Sequence, residues 1–374
     1  MNQPAVSPYI YINKPIPTRH EPPNVVAREV LSAAEMRELL TVNDPRIAPA
    51  LAEGSIAERI LALFTDPAVL LGPVEHVTGD RERWLQMISS FTEQGAPIEF
   101  VAMAFPYKVP NPIKTGSRLA PDAGEALMLR AFSALVEAIE GVYPAGARVT
   151  ILEEGILGRC QGVDPAEIAA YRAGIARVAE VAGVTRERIA FHSLDDMVQR
   201  IPSFEARWYF EQERLRRLWE SGDAEMREAY DHVHPGQRTA VPMREYEPET
   251  IARAFDPEQT ASELRYLRDW FETISHRQFF AYRALLNIRD ASGYLHDVRP
   301  GALKLTVSPK AGNLGVVPIN PSTRVLPYHG VPVLEASGTW TIDYFGALGE
   351  RGELIALHVD GDADAEPFAY RERR

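Results

Sequence analysis

Lysine and cysteine are both scarce in this chain. The single cysteine, Cys160, excludes a disulfide framework and favours a reducing compartment. Of the 40 lysine and arginine side chains, 35 are arginine and only five are lysine. Lysine is a compact charge that can lose its proton and do chemistry, whereas arginine is a rigid, permanently charged fork. The position of each lysine is therefore informative, and the five are Lys14, Lys108, Lys114, Lys304 and Lys310.

The chain also lacks an excess of positive charge and any long apolar run. Its formal net charge of -12 excludes a broad nucleic-acid-binding face, although a local pocket can still bind a small anion. No stretch approaches the roughly 18 uninterrupted apolar residues that a membrane span requires. The first residues do not combine a charged start with an apolar core, which argues against a signal peptide. We therefore expect a cytoplasmic protein without nucleic-acid or membrane partners.

The 374 residues divide by composition into an arm and a larger unit. Residues 1–24 are rich in proline and predict an extended arm over the surface. Residues 25–374 predict a single α/β catalytic domain with a helical insertion at about 203–290. Helical periodicity also dominates residues 25–93, and a proline-bearing break at 234–248 divides the insertion.

Strand and helix patterns alternate through the middle third of the chain. Apolar runs at 98–105, 147–154 and 188–194 predict buried strands, and amphipathic helices separate them. The second of these helices has Asp164 as its N-cap, Pro165 at its first position and Gly183 as its stop. We expect an α/β fold, with a Rossmann-like, mostly parallel sheet flanked by helices, a helical segment and a C-terminal strand-rich part.

Two lysines lie six residues apart in the loop that follows the first of these strands. The sequence FPYKVPNPIKTGSRLAPDAGE (105–125) carries Lys108 and Lys114 among prolines and glycines. A strand, loop and helix in succession place ligands at the carboxyl end of a parallel strand. One interpretation is a solvated pair on a surface loop. The other is a contact to a phosphate or a role directed at a carbonyl group, and composition does not decide between them.

Four further side chains admit both a structural and a chemical interpretation. Asp122 and Glu125 match a capping box at a helix start, or else one faces a pocket as a base or an ammonium partner. Glu154 is either an ordinary acid at a strand end or a general base. His329 is either a loop histidine without a special role or a proton shuttle near neutral pH.

The loop sequence resembles the signature of the isocyanide synthase family, the pyoverdine/dityrosine biosynthesis proteins related to a yeast dityrosine synthase. Two further segments, VTILEEGILGRCQGVDPAEIAAYRAGI and LKLTVSPKAGNLGVVPINPSTRVLPYHGV, resemble later motifs of that family in the same order. The resemblance extends over about 105–331. The loop residues that match are Phe105, Pro106, Lys108, Asn111, Lys114, Pro121, Asp122, Gly124 and Glu125.

The sequence departs from the family pattern at five positions. Val109 and Glu154 stand where serine and aspartate are usual, and Lys304 and Ser308 stand where arginine and histidine are common. Tyr328 replaces tryptophan. The departures at 308 and 328 favour an amino acid other than the usual aromatic substrates.

The resemblance implies an enzyme that converts the amino group of an α-amino acid to an isonitrile, with ribulose 5-phosphate as carbon donor and without a metal or organic cofactor. Members that make N-formyl or other C1-modified amino acids, and a non-catalytic relative that binds ligands or a partner, are the alternatives. A pathway oxygenase or a peptide synthetase is the expected partner. We assign catalytic roles to Lys108, Glu154 and His329, and substrate binding to Asn111, Lys114, Asp122, Glu125 and Lys304.

Three other motifs are set aside or left with two interpretations. The DHVH stretch with His232 and His234 lacks a second histidine or cysteine pair for a metal. The H-x-D spacing of His358 and Asp360 has no histidine after it to complete an iron site. The apolar stripe of the helix near residue 263 is either core packing or a homodimer surface.

Overall fold

The computed structural model describes most of the chain, including all ten strands discussed below. The described residues are 16–42, 44–48, 53–105, 107–108, 111–116, 119–160, 162–238, 246–256, 258, 262–289, 291–307, 312–323, 325–359 and 366–373. The predicted arm lies mainly outside them, as do Val109, Ser308, Lys310 and Asp360. The division of the chain into an arm and one catalytic domain stays a prediction.

A five-stranded parallel sheet forms the centre of the fold. Its order is β4-β3-β2-β5-β6, and each neighbouring pair is parallel. The middle-third strands predicted from apolar runs are all present and lie next to one another. The strands are β2 (Ile98–Ala104), β3 (Ala147–Glu153), β4 (Ile189–Ser193), β5 (Leu303–Thr306) and β6 (Leu314–Gly315).

Helices cover both faces of this sheet, because its strands are apolar on both sides. Phe100, Ala102 and Ala104 of β2 belong to one hydrophobic cluster with α5 (Ala123–Glu140) and α7 (Pro165–Ala182). Val101 and Met103 pack in a second cluster with α9 (Phe204–Glu220), α12 (Ser262–Ile288) and α13 (Ala291–Val298). The predicted α/β class with a helix-flanked parallel sheet is confirmed.

The order of the strands places a crevice between β2 and β5. From β2 the chain continues through α5 to β3 and through α7 to β4, on one side of β2. It then returns through the helical segment to β5, on the other side of β2. Ligands of open α/β sheets bind at such a reversal, outside the carboxyl ends of the strands. The loop with Lys108 and Lys114 begins at this end of β2.

A second sheet has the order β1-β9-β10-β7-β8 and combines both ends of the chain. The prediction of helix from residue 25 onward is wrong for residues 25–31, which form β1 and pair with β9 in parallel. The strands β9 and β10 were not predicted. The bounds are β1 (Asn24–Leu31), β7 (Val331–Leu334), β8 (Trp340–Asp343), β9 (Glu353–Val359) and β10 (Ala369–Glu372).

The remaining helices include one whose two ends were predicted from the sequence. The predicted helix from Asp164 is confirmed as α7: Asp164 accepts the Ala166 N–H, and Gly183 ends it with a φ of 71°. No described helix combines the length and apolarity needed to cross a membrane. The other helices are α1 (Ala33–Thr41), α2 (Ile56–Leu63), α3 (Glu75–Thr78), α4 (Arg81–Thr92), α6 (Ile156–Cys160), α8 (Leu194–Val198), α10 (Ala224–Arg238) and α11 (Pro248–Phe255).

A close contact at Gly330 joins the second sheet to the loop that precedes it. A Cβ atom at this position would lie 2.6 Å from the Asp343 carbonyl oxygen and 2.7 Å from Ile342 Cγ2. Since a backbone oxygen cannot move aside as a flexible side chain can, only glycine fits here. Residues 327–329, which form a 3-10 helix, are held by this contact against β8.

We expect Gly330→Ala to lower the free energy of unfolding by about 1–3 kcal/mol, the usual cost of inserting an extra methyl group into a packed site. Urea denaturation measures the change. Gly141→Ala is the matched control, because its Cβ would meet nothing closer than 3.4 Å and its φ of -63° suits alanine. Equal stability of Gly330→Ala and the wild type would contradict the argument.

Candidate active site

The chain turns sharply where β2 ends. Phe105 is fully buried and has a φ of 53°, in the left-handed region that a bulky residue rarely adopts. Its ring lies 6.4 Å from the ring of Phe191 and 6.5 Å from that of Tyr328. Backbone conformations of this kind cost about 1–3 kcal/mol and persist where surrounding contacts enforce them, often at functional sites.

A tight turn over residues 111–116 follows and is tied to the second sheet. The Asn111 carbonyl accepts the N–H groups of Lys114 and Thr115, each at 2.9 Å, and the Asn111 side-chain oxygen accepts that of Ile113 at 3.1 Å. The Phe345 N–H donates to the Lys114 carbonyl at 3.0 Å. Asn111 thus shapes the turn that presents Lys114.

Both loop lysines are buried. Lys108 and Lys114 are each 1% exposed. The interpretation of the pair as solvated surface charges is therefore wrong. A buried ammonium group loses its hydration and needs compensation from a counter-charge, or else its pKa falls. The two lysines meet this requirement differently.

Lys108 is compensated by the two acids at the start of α5. Its Nζ forms an ion pair with Asp122 and lies 3.3 Å from Glu125 Oε2. The predicted capping box is confirmed, since Asp122 accepts the Gly124 N–H at 2.8 Å and the Asp122 N–H donates to Glu125 at 2.8 Å. Because both acids also contact Lys108, the capping and pocket interpretations apply together.

A buried tyrosine extends this group of charges. The Tyr171 hydroxyl, on α7, donates to Glu125 Oε1 at 3.0 Å. Burial raises the pKa of Glu125 to about 7, with Lys108 acting to lower it and Asp122 to raise it further. Burial and then the Glu125 charge raise the pKa of Tyr171 well above its usual value. We call Lys108, Asp122, Glu125 and Tyr171 the acid cluster.

Lys114 and His329 form a basic counterpart. Burial lowers the pKa of Lys114 to about 7. Burial, and secondly the nearby Lys114 charge, lower the pKa of His329 well below its usual value, although part of this residue remains exposed. Pro327 packs against the start of α5 because Gly124 has no side chain: a Cβ atom added there would lie 3.2 Å from the Pro327 carbonyl oxygen. This contact keeps His329, two residues further on, near α5.

Glu154 and Tyr328 connect the two groups. Glu154 directly follows β3 and is half-buried. Burial raises the pKa of the Tyr328 hydroxyl, and the charges of Glu154 and Glu125 raise it further. Tyr328 is therefore close to both acids. The structure brings together seven of the eight predicted site residues: Lys108, Asn111, Lys114, Asp122, Glu125, Glu154 and His329.

Lys304 is the eighth predicted site residue and lies on β5. It pairs with Val101 in the middle of β2 and shares the sheet face of the second hydrophobic cluster, away from α5. Its role in substrate binding stays a prediction.

Among the described residues, no group of three or more His, Cys, Asp or Glu side chains is arranged to hold a metal.

Tyr171 was not among the site residues predicted from the sequence. The signal was its place in the apolar stripe of α7, with Ile168 and Ile175, because a hydroxyl inside a core needs a partner. Glu153 was also missed: it is 5% exposed, lies 3.2 Å from Arg172, and has a pKa raised by burial.

We expect Lys108→Met to lower the free energy of unfolding by about 3–5 kcal/mol near pH 8, because it leaves two buried carboxylates without a counter-charge. The double variant Lys108→Met/Asp122→Asn should recover part of this loss, since asparagine caps a helix as well as aspartate does. Urea denaturation compares the three proteins. A single variant as stable as wild type would show that the ion pair is dispensable.

Glu125 should also make stability depend on pH. Its pKa is raised on folding from 4.5 to about 7, so its stabilising contribution is complete below about pH 4.5 and is lost as pH rises through about 7. The stability difference between wild type and Glu125→Gln should therefore fall over this window. Denaturation curves at a series of pH values measure it, with exposed Glu228→Gln as the control. A difference that is constant or grows with pH would refute the assignment.

Known proteins resemble this chain in sequence and in fold. Residues 88–244 match the sequence model of a family described as "Pyoverdine/dityrosine biosynthesis protein". An L-tyrosine isonitrile synthase of Pseudomonas aeruginosa is 29% identical over 295 residues, covering 77% of this chain and 83% of that protein. An L-tyrosine isonitrile synthase of Xenorhabdus nematophila is 36% identical over 102 residues, covering 27% of this chain and 30% of that protein.

A solved structure shares the fold. The crystal structure of the PvcA protein of Pseudomonas aeruginosa superposes with a TM-score of 0.61 and 21% identity, covering 85% of this chain and all of that one. The resemblance predicted from the sequence is confirmed: the chain is similar in sequence to the pyoverdine/dityrosine biosynthesis proteins over residues 88–244, and similar in fold to PvcA.

Proposed function

We propose that this protein is an isonitrile synthase, which converts the amino group of an α-amino acid to an isocyanide with ribulose 5-phosphate as the carbon donor. Two relatives named L-tyrosine isonitrile synthase support the reaction and the amino-acid substrate class. The sugar phosphate as donor rests on the family resemblance of the loop motif.

One observation carries the proposal. The segment that matches the family, residues 88–244, contains the whole acid cluster, which lies at the carboxyl end of β2. A buried ion pair is weak evidence for stability, because desolvation offsets most of its attraction. Titratable groups with strongly shifted pKa values at such a position are typical of active sites.

The first chemical requirement is an uncharged amine. The amino group of an amino acid is an ammonium at neutral pH and must lose a proton before its nitrogen can attack the C2 carbonyl carbon of the sugar phosphate. A general base works best with a pKa near the working pH. Lys114, whose pKa is lowered to about 7, meets this condition. Once protonated, Lys114 becomes a cation that can contact the sugar's phosphate.

The second requirement is an acid that protonates the departing oxygen of the former carbonyl, which leaves as water when the carbon–nitrogen double bond forms. Glu125, with a pKa raised to about 7, holds a proton close to neutrality and can supply it. In this proposal Lys108 and Asp122 fix the Glu125 carboxyl group, and Tyr171 orients it. Glu154 and neutral His329 are the further acid–base candidates for the later elimination of phosphate.

The assignment of the phosphate contact changes with the observed geometry. The sequence suggested that Lys108 and Lys114 both hold the phosphate. Because Asp122 and Glu125 already balance the charge of Lys108, its attraction for a second anion is weakened. The proposal therefore gives the phosphate to Lys114 and a positioning role to Lys108.

Incubation of the purified protein with ribulose 5-phosphate and a panel of amino acids tests the function. Phosphate release together with a trapped isonitrile adduct, seen by mass spectrometry, is the expected result. An N-formyl amino acid in place of the isonitrile would identify the second kind of family member. Release of neither product with any amino acid would indicate a non-catalytic relative.

We expect kcat/KM of the wild type to follow a bell-shaped pH profile, which rises toward about pH 7 as Lys114 loses its proton and falls above it as Glu125 loses its own. Lys114→Met should lower kcat/KM by about 10²-fold or more, the usual contribution of a general base. Lys114→Arg keeps a positive charge that does not titrate, so the rise near pH 7 should disappear. Arg214→Met, a substitution on the exposed surface of α9, is the control. A pH profile of Lys114→Arg identical to that of the wild type would overturn this role.

A further inference from the structure

A separate cavity lies toward the amino ends of the strands, at the other end of the sheet from the acid cluster. Its volume is about 250 Å³, below the roughly 300–1,000 Å³ of pockets for drug-sized ligands. Two residues of β3, one of β4, the turn before β4 and the segment after α13 line it. The lining residues are Arg148, Thr150, Arg186, Glu187, Ala190 and Arg299.

The hydroxyl of Thr150 is the least expected feature of this cavity. Thr150 is 1% exposed, and within the described part of the chain its Oγ1 has no hydrogen-bond partner. A buried hydroxyl without a partner costs about 1–3 kcal/mol, so native proteins rarely keep one. A ligand that accepts a hydrogen bond from Thr150 would remove this cost.

The three arginines of the cavity are weakly compensated. Arg148 and Arg186 form no ion pair with any described residue. Arg299 lies 3.5 Å from Glu99, and its buried Nε has no hydrogen-bond partner among the described residues. By contrast, Arg188, two residues beyond Arg186, contacts both Glu137 and Glu140. Three guanidinium groups thus line one cavity, and those of Arg148 and Arg186 are exposed to solvent.

The lining of the cavity contains three arginines and one acid, although the chain as a whole carries a net charge of -12. The one acid in the lining, Glu187, already accepts hydrogen bonds from Thr185 and from its own backbone N–H. His192, two residues along β4 from Ala190, responds to the same charge: its pKa is lowered first by desolvation and then by Arg299 and Arg200. A local positive potential of this kind concentrates small anions.

We propose that this cavity is a second oxyanion site, which binds inorganic phosphate or the phosphate group of a monoester. Arginine forks match phosphate oxygens in paired, charge-assisted hydrogen bonds, and the Thr150 hydroxyl supplies a further donor. The site is distinct from the acid cluster. All strands of this sheet run in the same direction, so the acid cluster at their carboxyl ends and the cavity toward their amino ends lie at opposite edges of the sheet. A bound phosphate here would join β3, β4 and the segment after α13.

Calorimetric titration of the full-length protein with inorganic phosphate tests the site. The variants Arg148→Ala/Arg186→Ala and Thr150→Val should each weaken phosphate binding by about tenfold or more, since a hydrogen bond to a charged group contributes about that factor. Thr150→Val keeps the shape of the side chain and removes only the hydroxyl. Arg373→Ala, an exposed arginine paired with Glu353 in the second sheet, is the control for loss of charge and should bind as wild type does.

Two comparisons separate the ligands and the sites. Titration with ribulose 5-phosphate in place of inorganic phosphate shows whether a free ion or a monoester binds more tightly, and either result supports the site. Lys114→Met should retain phosphate binding at the arginine cavity. The proposal would be overturned if phosphate did not bind saturably, or if Arg373→Ala weakened binding as much as the cavity variants do. It would also be overturned if Lys114→Met abolished phosphate binding while the arginine variants bound phosphate as the wild type does.

Discussion

The burial of one lysine constrains the architecture around the candidate active site. An ammonium group that is 1% exposed needs carboxylates at fixed positions, and the start of α5 supplies two. Glu125 caps the helix through Oε2, the same oxygen that faces Lys108, whereas Asp122 caps it through Oδ1 and pairs with Lys108 through Oδ2. The helix start, the loop after β2 and the charge of the cluster are therefore coupled, and a change in one of them alters the other two.

This coupling explains why two lysines in the same loop behave differently. The charge of Lys108 is balanced by its neighbours, whereas desolvation is the dominant influence on Lys114 and brings its pKa into the neutral range. Burial thus raises the pKa of Glu125 and lowers the pKa of Lys114, and both reach about 7. Proton transfer between groups of matched affinity is easy in both directions, as the proposed reaction, an addition followed by an elimination, would require.

Local patterns in the sequence predicted the parallel sheet and a strand-rich C-terminal part, but not the pairing of β1 with β9. The apolar runs and the caps at Asp164 and Gly183 act over a few residues, and the structure confirms them. The strand β1 was predicted as helix because the residues that follow it favour helix, and only its pairing with residues 353–359 makes it a strand. The motif residues were found by resemblance, but the burial of Lys108 depends on contacts 14 and 17 residues away, which no local pattern reveals.

The second sheet completes the site rather than merely flanking it. Gly330 and Gly124 allow the 3-10 helix at residues 327–329 to lie against both β8 and the start of α5, so His329 and Tyr328 reach the acid cluster from a distant part of the chain. Tyr328 stands where the family pattern has tryptophan, and it contacts Phe105 and lies near Glu125 and Glu154. A smaller ring with a hydroxyl leaves more room and adds a polar atom to the wall of the site. Because Tyr328 lies near Glu125, the acid of the proposed reaction, the exchange bears on which amino acid the proposed enzyme would accept.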